Sequence, residues 1–184
     1  SMPSTASTMS HSATSTGPFV PVGTVGAFGT TTYTDPTANG NAGPVFYYLT
    51  TYTNGLPAQE SIPGDTVSTI HLQVFQSAPL GSADLAWNHL AVSPTAADSF
   101  TVWLEYPVGA LQQLATVASD RFSYQHEISI CEDSLTFHIR RGETGCISVS
   151  NWAGDVFSDV TPPSIPVVVA VTVDSSAAGS GLAT

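Results

Sequence analysis

The 184-residue sequence contains no lysine, and its only basic side chains besides histidine are Arg121, Arg140 and Arg141. Fourteen acidic residues give a formal net charge of -11 at pH 7. Such a chain repels phosphate backbones and anionic membranes at moderate salt. No apolar run is long enough to span a bilayer, since the longest covers residues 167–173. We therefore exclude nucleic-acid binding and predict no membrane insertion.

The motifs of the common catalytic and metal sites are also missing. No Gly-x-Ser-x-Gly, paired Asp-Thr/Ser-Gly, His-Glu-x-x-His or Cys-x-x-Cys occurs. A metal would need a third ligand beside His126 and His138, which we interpret as a partly buried and a surface histidine. We predict no enzyme, no catalytic residue, no cofactor and no metal. Paired carboxylates for glycoside hydrolysis stay an open alternative, with the candidates Glu60, Asp65, Glu105 and Glu127.

Only two cysteines are present, Cys131 and Cys146, and they do not reveal the redox compartment. A disulfide would require their strands to be neighbours. In a simple meander the strand around Phe137 lies between them, so their pairing stays open.

The clearest positive signal is the stretch 121–152, where three apolar runs follow one another closely. Apolar residues alternate around Tyr124, Phe137 and Ile147, and residues 132–134 and 141–145 tolerate tight turns. Alternation places every second side chain on one face of a strand. The stretch therefore predicts a three-stranded meander whose apolar rows face a shared core.

Thr, Ser, Val, Gly and Pro dominate the composition, and helix-forming residues are scarce, which is typical of an all-β protein. We predict an antiparallel two-sheet sandwich of jelly-roll type with about nine or ten strands and at most one short helix. A closed barrel is the alternative. Outside the meander the predicted strands are 19–22, 45–53, 66–75, 84–92, 99–106, 111–118 (or a short helix) and 165–173.

Both ends of the chain are small and polar. Residues 1–17 form a Ser/Thr tract with almost no large apolar side chain, so we expect a flexible linker or an expression remnant there. Residues 175–184 are expected to form a flexible tail. The β-sandwich domain is predicted to span residues 18–174.

Aromatic residues mark the candidate contact surface. In the predicted strand 99–106, alternation leaves Trp103 on the face opposite the apolar residues. Tyr47 likewise lies in a strand with aromatic residues on both faces. An outward Trp indicates a protein interface or a sugar-stacking platform, or else a second core.

The tripeptide Arg141, Gly142 and Glu143 falls in a predicted exposed turn and resembles the Arg-Gly-Asp adhesion tripeptide. A plain hairpin turn is the other interpretation. The loops expected to face a partner are 39–43, 54–58 and 141–145.

A Ser/Thr/Pro tether, an acidic lysine-free sandwich and the proline-rich approach 161–166 to a final apolar strand together resemble the protruding domains of small non-enveloped RNA virus capsid proteins. The tetravirus-like and nodavirus-like capsids are the most similar. This resemblance implies a structural spike on the virion surface that self-associates as a dimer or trimer and attaches to a host receptor or glycan. The alternative function is a carbohydrate-binding or adhesion β-sandwich module of a microbial surface protein.

Overall fold

The structure is a computed structural model, and it describes residues 5–26, 30, 32–53, 59–77, 81–89, 98–130, 132–143 and 146–157. These residues contain no helix and form thirteen strands. In chain order the strands are β1 (Thr5–Ser12), β2 (Val20–Val25), β3 (Phe46–Thr53), β4 (Gln59–Glu60), β5 (Val67–Ser68), β6 (Leu72–Ser77), β7 (Ser82–Trp87), β8 (Ser99–Glu105), β9 (Leu111–Ala118), β10 (Ser123–Glu127), β11 (Asp133–Glu143), β12 (Cys146–Val149) and β13 (Ala153–Phe157).

The second half of the chain folds as two antiparallel sheets packed face to face. One sheet has the strand order β10-β7-β6, and the other has the order β12-β11-β8-β9 with β13 also paired to β11. The side chains between them form one apolar core, in which Phe100, Val102, Phe137, Ile139 and Phe157 have no exposed surface. The predicted antiparallel all-β sandwich is therefore confirmed.

The strand order of the sandwich follows the immunoglobulin plan. Its first, second and fifth strands form one sheet, and its third, fourth, sixth, seventh and eighth strands form the other. In this order the chain changes sheet between β7 and β8, between β9 and β10, and between β10 and β11. The predicted meander is consequently wrong at its first step, because β10 pairs with β7 in the opposite sheet and only β11 and β12 are neighbours.

The first half of the chain forms a separate sheet with the order β2-β1-β3-β4, in which β5 also pairs with β3. The expectation that residues 1–17 are flexible is wrong for Thr5–Ser12, which form the strand β1 between β2 and β3. Its small side chains lie opposite aromatic ones, since Ala6 pairs with Tyr52 and Ser10 with Tyr48. Both small residues are buried, so neighbouring rings supply the apolar surface that this tract lacks.

One predicted strand differs from the structure, and for another the strand alternative is confirmed. Residues 66–75 do not form one strand, because the chain leaves the N-terminal sheet after β5, and Ile70 enters the sandwich core before β6 begins. Residues 111–118 form the strand β9 and not a helix. The predicted strand 165–173, the tail 175–184, the loop 54–58 and the side chains of both cysteines lie outside the described residues.

Candidate functional site

The candidate site lies on the outer face of the five-stranded sheet of the sandwich, opposite the core. Trp103 in β8 pairs with His138 in β11, and Thr101 pairs with Arg140. Directly opposed residues of an antiparallel pair point to the same side of the sheet. The alternation that buries Phe100 thus sends these four side chains outward together.

Trp103 is held in a stack and does not stand free. The Cζ atom of Arg140 lies 4.5 Å from the centroid of the Trp103 ring, so the guanidinium covers one face of the indole. Trp103 Nε1 donates a 2.9 Å hydrogen bond to the hydroxyl of Thr101. The His138 ring is parallel to the indole within 7°, with 6.1 Å between centroids. Cation–π contact and hydrogen bonding therefore fix the ring in one orientation.

His138 is fully buried, although the sequence analysis placed it at the surface. Trp152, in the turn between β12 and β13, covers it from the other side with 4.2 Å between ring centroids. Arg140 Nε donates a 2.9 Å hydrogen bond to His138 Nε2. Trp103, His138, Arg140 and Trp152, which we call the outer cluster, thus make a small second core on this face.

Burial, and next the nearby charge of Arg140, lower the pKa of His138 to about 4, against the opposing influence of Glu105. The imidazole is therefore neutral at pH 7. Because Nε2 accepts from Arg140, the proton is assigned to Nδ1. No hydrogen-bond partner for Nδ1 lies among the described residues.

An apolar margin borders the outer cluster, and it consists of Ile147 and Val149 in β12 and Val156 in β13. Val149 pairs with Arg140, which places it on the same face. The three side chains are 76%, 50% and 60% exposed, and Trp152 is 50% exposed. Large apolar side chains concentrated on one sheet face are unusual for a surface without a partner.

Trp152 is held in place by the residue before it. Asn151 Nδ2 donates to the carbonyl of Leu72, and Asn151 Oδ1 accepts from the Leu72 amide at 2.7 Å. This side chain therefore ties the β12–β13 turn to the first residue of β6. Beside it lies a groove of about 560 Å³ that is lined partly by His71, Gln73, Phe75, Asn151 and Trp152.

Tyr47 belongs to a different cluster, in the N-terminal sheet. Its hydroxyl donates a 3.2 Å hydrogen bond to Asp35, whose Oδ2 atom also lies 2.5 Å from His11 Nδ1. Burial, followed by the charge of Asp35, raises the pKa of Tyr47 to about 12. Burial opposes the charge of Asp35, but hydrogen bonds from Thr37, His11 and Tyr47 outweigh it and hold the pKa of Asp35 well below its usual value.

The tripeptide 141–143 does not lie in an exposed turn. Arg141, Gly142 and Glu143 are the last residues of β11, and Arg141 is 6% exposed. Its Nη2 atom lies 2.8 Å from Asp98 Oδ2 in a buried ion pair. Gly142 is exposed, and the side chain of Glu143 lies outside the described part. The resemblance to an adhesion tripeptide is therefore wrong for Arg141, which is fastened to the protein itself.

The geometry supports neither metal binding by His126 and His138 nor glycoside hydrolysis by paired carboxylates. His126 and His138 lie in different sheets, and His126 contacts Phe137 from the core side, 5.9 Å away. Within the described ranges no three His, Cys, Asp or Glu residues are grouped so that they could hold a metal ion. Glu60, Glu105 and Glu127 belong to three different sheets. The part of the chain that the structure covers also has no helix suited to crossing a bilayer.

Sequence reasoning identified Trp103 but missed the residues that surround it. His138, Arg140 and Trp152 carry no motif, and their meeting depends on the register between β8 and β11. One signal was present: His138 and Arg140 alternate with the core residues Phe137 and Ile139 and so face away from the core.

No protein family matches this sequence, and no curated protein matches it. Several solved structures are similar in fold. The chicken interferon gamma receptor alpha chain is 8% identical with a TM-score of 0.40, and the match covers 86% of this chain and 87% of that one. Chicken CNTN1 FN1–FN3 domains are 9% identical with a TM-score of 0.38 over 85% of this chain and 57% of theirs.

A tetra-tandem repeat from the extending region of a large adhesion protein is 14% identical with a TM-score of 0.36, over 85% of this chain and 42% of that one. These structures are β-sandwich domains of receptor and adhesion proteins, and the similarity concerns the fold alone. The sheet order and the shared core described above place the chain in the class of antiparallel β-sandwich proteins.

Proposed function

We propose that this protein is a non-enzymatic binding module of the adhesion type, and that it holds a protein partner on the outer face of the five-stranded sheet of the sandwich. The observation that supports this most is the apolar margin, whose three side chains are at least half exposed beside an ordered Trp–Arg stack. Trp and Arg are the residue types that most often dominate binding energy at protein interfaces. A rigid cluster also loses little side-chain entropy on binding.

The composition of this face favours protein over a charged polymer. Most of its exposed side chains are uncharged, and Arg140 is the cation at its centre, in a chain of net charge -11. Depletion of charge with enrichment of aromatic residues and arginine is typical of the core of a protein interface. The expected partner therefore offers an apolar patch with an acidic or carbonyl-rich centre that faces Arg140.

A second candidate function is glycan binding in the groove beside Trp152. The exposed Trp152 and Phe75 side chains and the polar side chains of His71 and Gln73 line the same groove. Sugars bind to such combinations of aromatic rings and hydrogen-bonding groups. Trp103 is less suited to stack on a sugar because Arg140 already covers a face of its ring.

Binding of the fluorescently labelled protein to a panel of intact cells would test both functions. Trp152→Ala and Ile147→Ser should each reduce binding at least about tenfold, as expected for central interface residues. Val108→Ser is the matched control, since Val108 is 92% exposed in the β8–β9 turn, away from the outer face. Circular dichroism verifies that each variant is folded.

Enzymatic treatment of the cells distinguishes a protein partner from a glycan partner. Protease treatment should abolish binding if the partner is a protein, whereas glycosidase treatment should abolish it if the partner is a glycan. Binding that survives both Trp152→Ala and Ile147→Ser would contradict the proposed function altogether.

The capsid protrusion inferred from the sequence stays a prediction, together with its virion-surface location. Like the proposed binding module, a capsid protrusion requires a contact surface on one sheet face. A parent reading frame with an Arg-rich segment and a separate jelly roll upstream would support it, and a parent with a different domain set would contradict it.

A further inference from the structure

The N-terminal sheet repeats the strand plan of the five-stranded sheet of the sandwich. In the N-terminal sheet β1 is central, with β2 on one side and the long strand β3 on the other. In the sheet of the sandwich β8 is central in the same way, with β9 on one side and the long strand β11 on the other. The orders β2-β1-β3-β4/β5 and β9-β8-β11-β12/β13 therefore correspond strand by strand. In particular, β1 corresponds to β8 and β3 to β11.

The corresponding inner faces differ in what covers them. In the sandwich Val102 pairs with Ile139, and both are fully buried by the opposing sheet. In the N-terminal sheet Met9 pairs with Leu49, which is 46% exposed. Among the described residues no second sheet packs on the N-terminal sheet, and none of its strands contributes to the main core.

The register places apolar residues in two neighbouring rows of this open face, and the row beyond Met9 carries Ser7 and Thr51. One cross-strand row contains Gly23, Met9 and Leu49, and the next contains Val20, His11, Tyr47 and Val67. Val20 and Val67 are 55% and 49% exposed. The His11 imidazole on this face already contacts the Asp35 carboxylate within the protein.

The segment around Tyr33 and Asp35 covers only part of the face. The Tyr33 hydroxyl donates a 2.5 Å hydrogen bond to the carbonyl of Val22, and its ring occupies the space that a side chain at position 23 would need. Gly23 thus allows this segment to approach β2 closely. The area around Leu49 and Val67 stays exposed.

The chain contains a segment with the matching chemistry beyond the described residues. In the sequence 165–173, Ile165, Val167, Val169, Val171 and Val173 occupy alternate positions, and no residue of the segment is charged. Alternating β-branched residues form one apolar side when the chain is extended. An uncharged segment also approaches an acidic protein without electrostatic repulsion.

We propose that the open face of the N-terminal sheet receives residues 165–173 of a second copy of this chain, which dock as an extended strand and join the copies head to tail. The valines of this strand cover Leu49 and Val67 as β6 and β7 cover the corresponding face in the sandwich. Because donor and acceptor are different parts of the chain, the contact is heterologous and continues from copy to copy.

The position of the chain end favours a second copy over the same one. The N-terminal sheet joins the sandwich just before Leu72, which is hydrogen-bonded to Asn151. From Asn151 the chain runs along β13 to Phe157, which pairs with Asp133 at the start of β11. Six extended residues carry it about 20 Å away from the junction. The seven residues 158–164 span at most about 25 Å when fully extended. A return to the junction within the same chain would therefore need nearly all of this length.

Two complementary charge variants of the full chain test this contact by light scattering. Leu49→Glu disables the acceptor face, and Val169→Asp disables the donor strand. The wild-type chain should show a mass that rises with concentration above the 19.1 kDa of one chain, and each variant alone should stay at that mass. An equimolar mixture of the two variants should form a dimer and stop there, since one intact donor meets one intact acceptor.

Val108→Glu is the matched control, since it adds the same charge at an exposed turn residue and should associate like the wild type. A labelled peptide of residues 163–175 provides a second readout. It should bind the Val169→Asp chain at least tenfold more tightly than the chain that carries both substitutions. A wild-type chain that stays monomeric up to millimolar concentration overturns the proposal, because no second copy then covers the open face. A mixture that stays monomeric, or a peptide that does not discriminate, also overturns it.

Discussion

The two halves of the chain use the same strand order but bury very different amounts of apolar surface. In the sandwich, Val102 and Ile139 lie under an opposing sheet and have no exposed surface. In the N-terminal sheet the corresponding row holds Met9 and Leu49, with nearly half of Leu49 exposed. The same strand order therefore occurs with and without an opposing sheet, and the second sheet determines whether the face becomes a core.

The halves also differ in what holds their polar groups. The N-terminal sheet buries serine and threonine under tyrosine rings and gathers His11, Tyr47 and Thr37 around Asp35. The sandwich instead keeps polar side chains on its outer face, where Arg140 and His138 stack with tryptophan. An apolar core stabilises one half, and local hydrogen bonds contribute a larger share in the other.

Truncation of the paired core positions should give the largest difference between the halves. Ile139→Ala should lower the free energy of unfolding by about 2–5 kcal/mol, since it leaves a cavity in a fully packed core. Leu49→Ala should cost less than about 1 kcal/mol, because its side chain is half exposed. Urea denaturation of dilute protein measures both. Equal losses at the two positions would show that the N-terminal face is already covered.

Acidification should act on the sandwich through His138. Its pKa falls from 6.5 to about 4 on folding, so between these values the unfolded chain binds a proton that the folded chain does not. The free energy of unfolding should therefore decrease by about 1–3 kcal/mol as the pH is lowered from 7 to 4. His138→Gln should remove this part of the pH dependence, with His89→Gln at an exposed position as the control. An unchanged slope in His138→Gln would contradict the assignment.

A smaller effect than those of Ile139→Ala and of acidification is expected from the Asp35 cluster. Asp35→Asn keeps the shape but weakens the hydrogen bonds from His11, Thr37 and Tyr47, and we expect a loss of about 1 kcal/mol. Amide hydrogen exchange should become faster in β1 and β3 while the core strands β8 and β11 keep their protection. Equally faster exchange in both halves would mean that the two sheets unfold as one unit.

Much of the local structure could be predicted from alternation. The inward positions of Phe100, Val102 and Leu104 and the outward position of Trp103 follow from the period of two in an extended chain. The strand β1 could not be predicted, because its serine and threonine side chains carry no apolar signal of their own. Its burial depends on Tyr48 and Tyr52, which follow it by about forty residues in the sequence.

The candidate site was only partly predictable for the same reason. Trp103 is an outward aromatic residue in any pairing, but its contacts with His138 and Arg140 exist only in the observed register of β8 and β11. Arg141 shows the opposite case, since its place at the end of a long strand, paired with Asp98, removes it from the turn that the sequence indicated.

The sequence by itself determined that this protein is an acidic β protein with at most one short helix, and it determined which side of a strand such as β8 faces the core. Those properties depend on neighbouring residues along the chain. Only the tertiary structure decided that β10 crosses to the other sheet, that His138 is buried between two tryptophans and that one sheet keeps an open face. Strand pairing joins distant parts of the chain, and many pairings satisfy the same alternation until the packing of the whole molecule selects one.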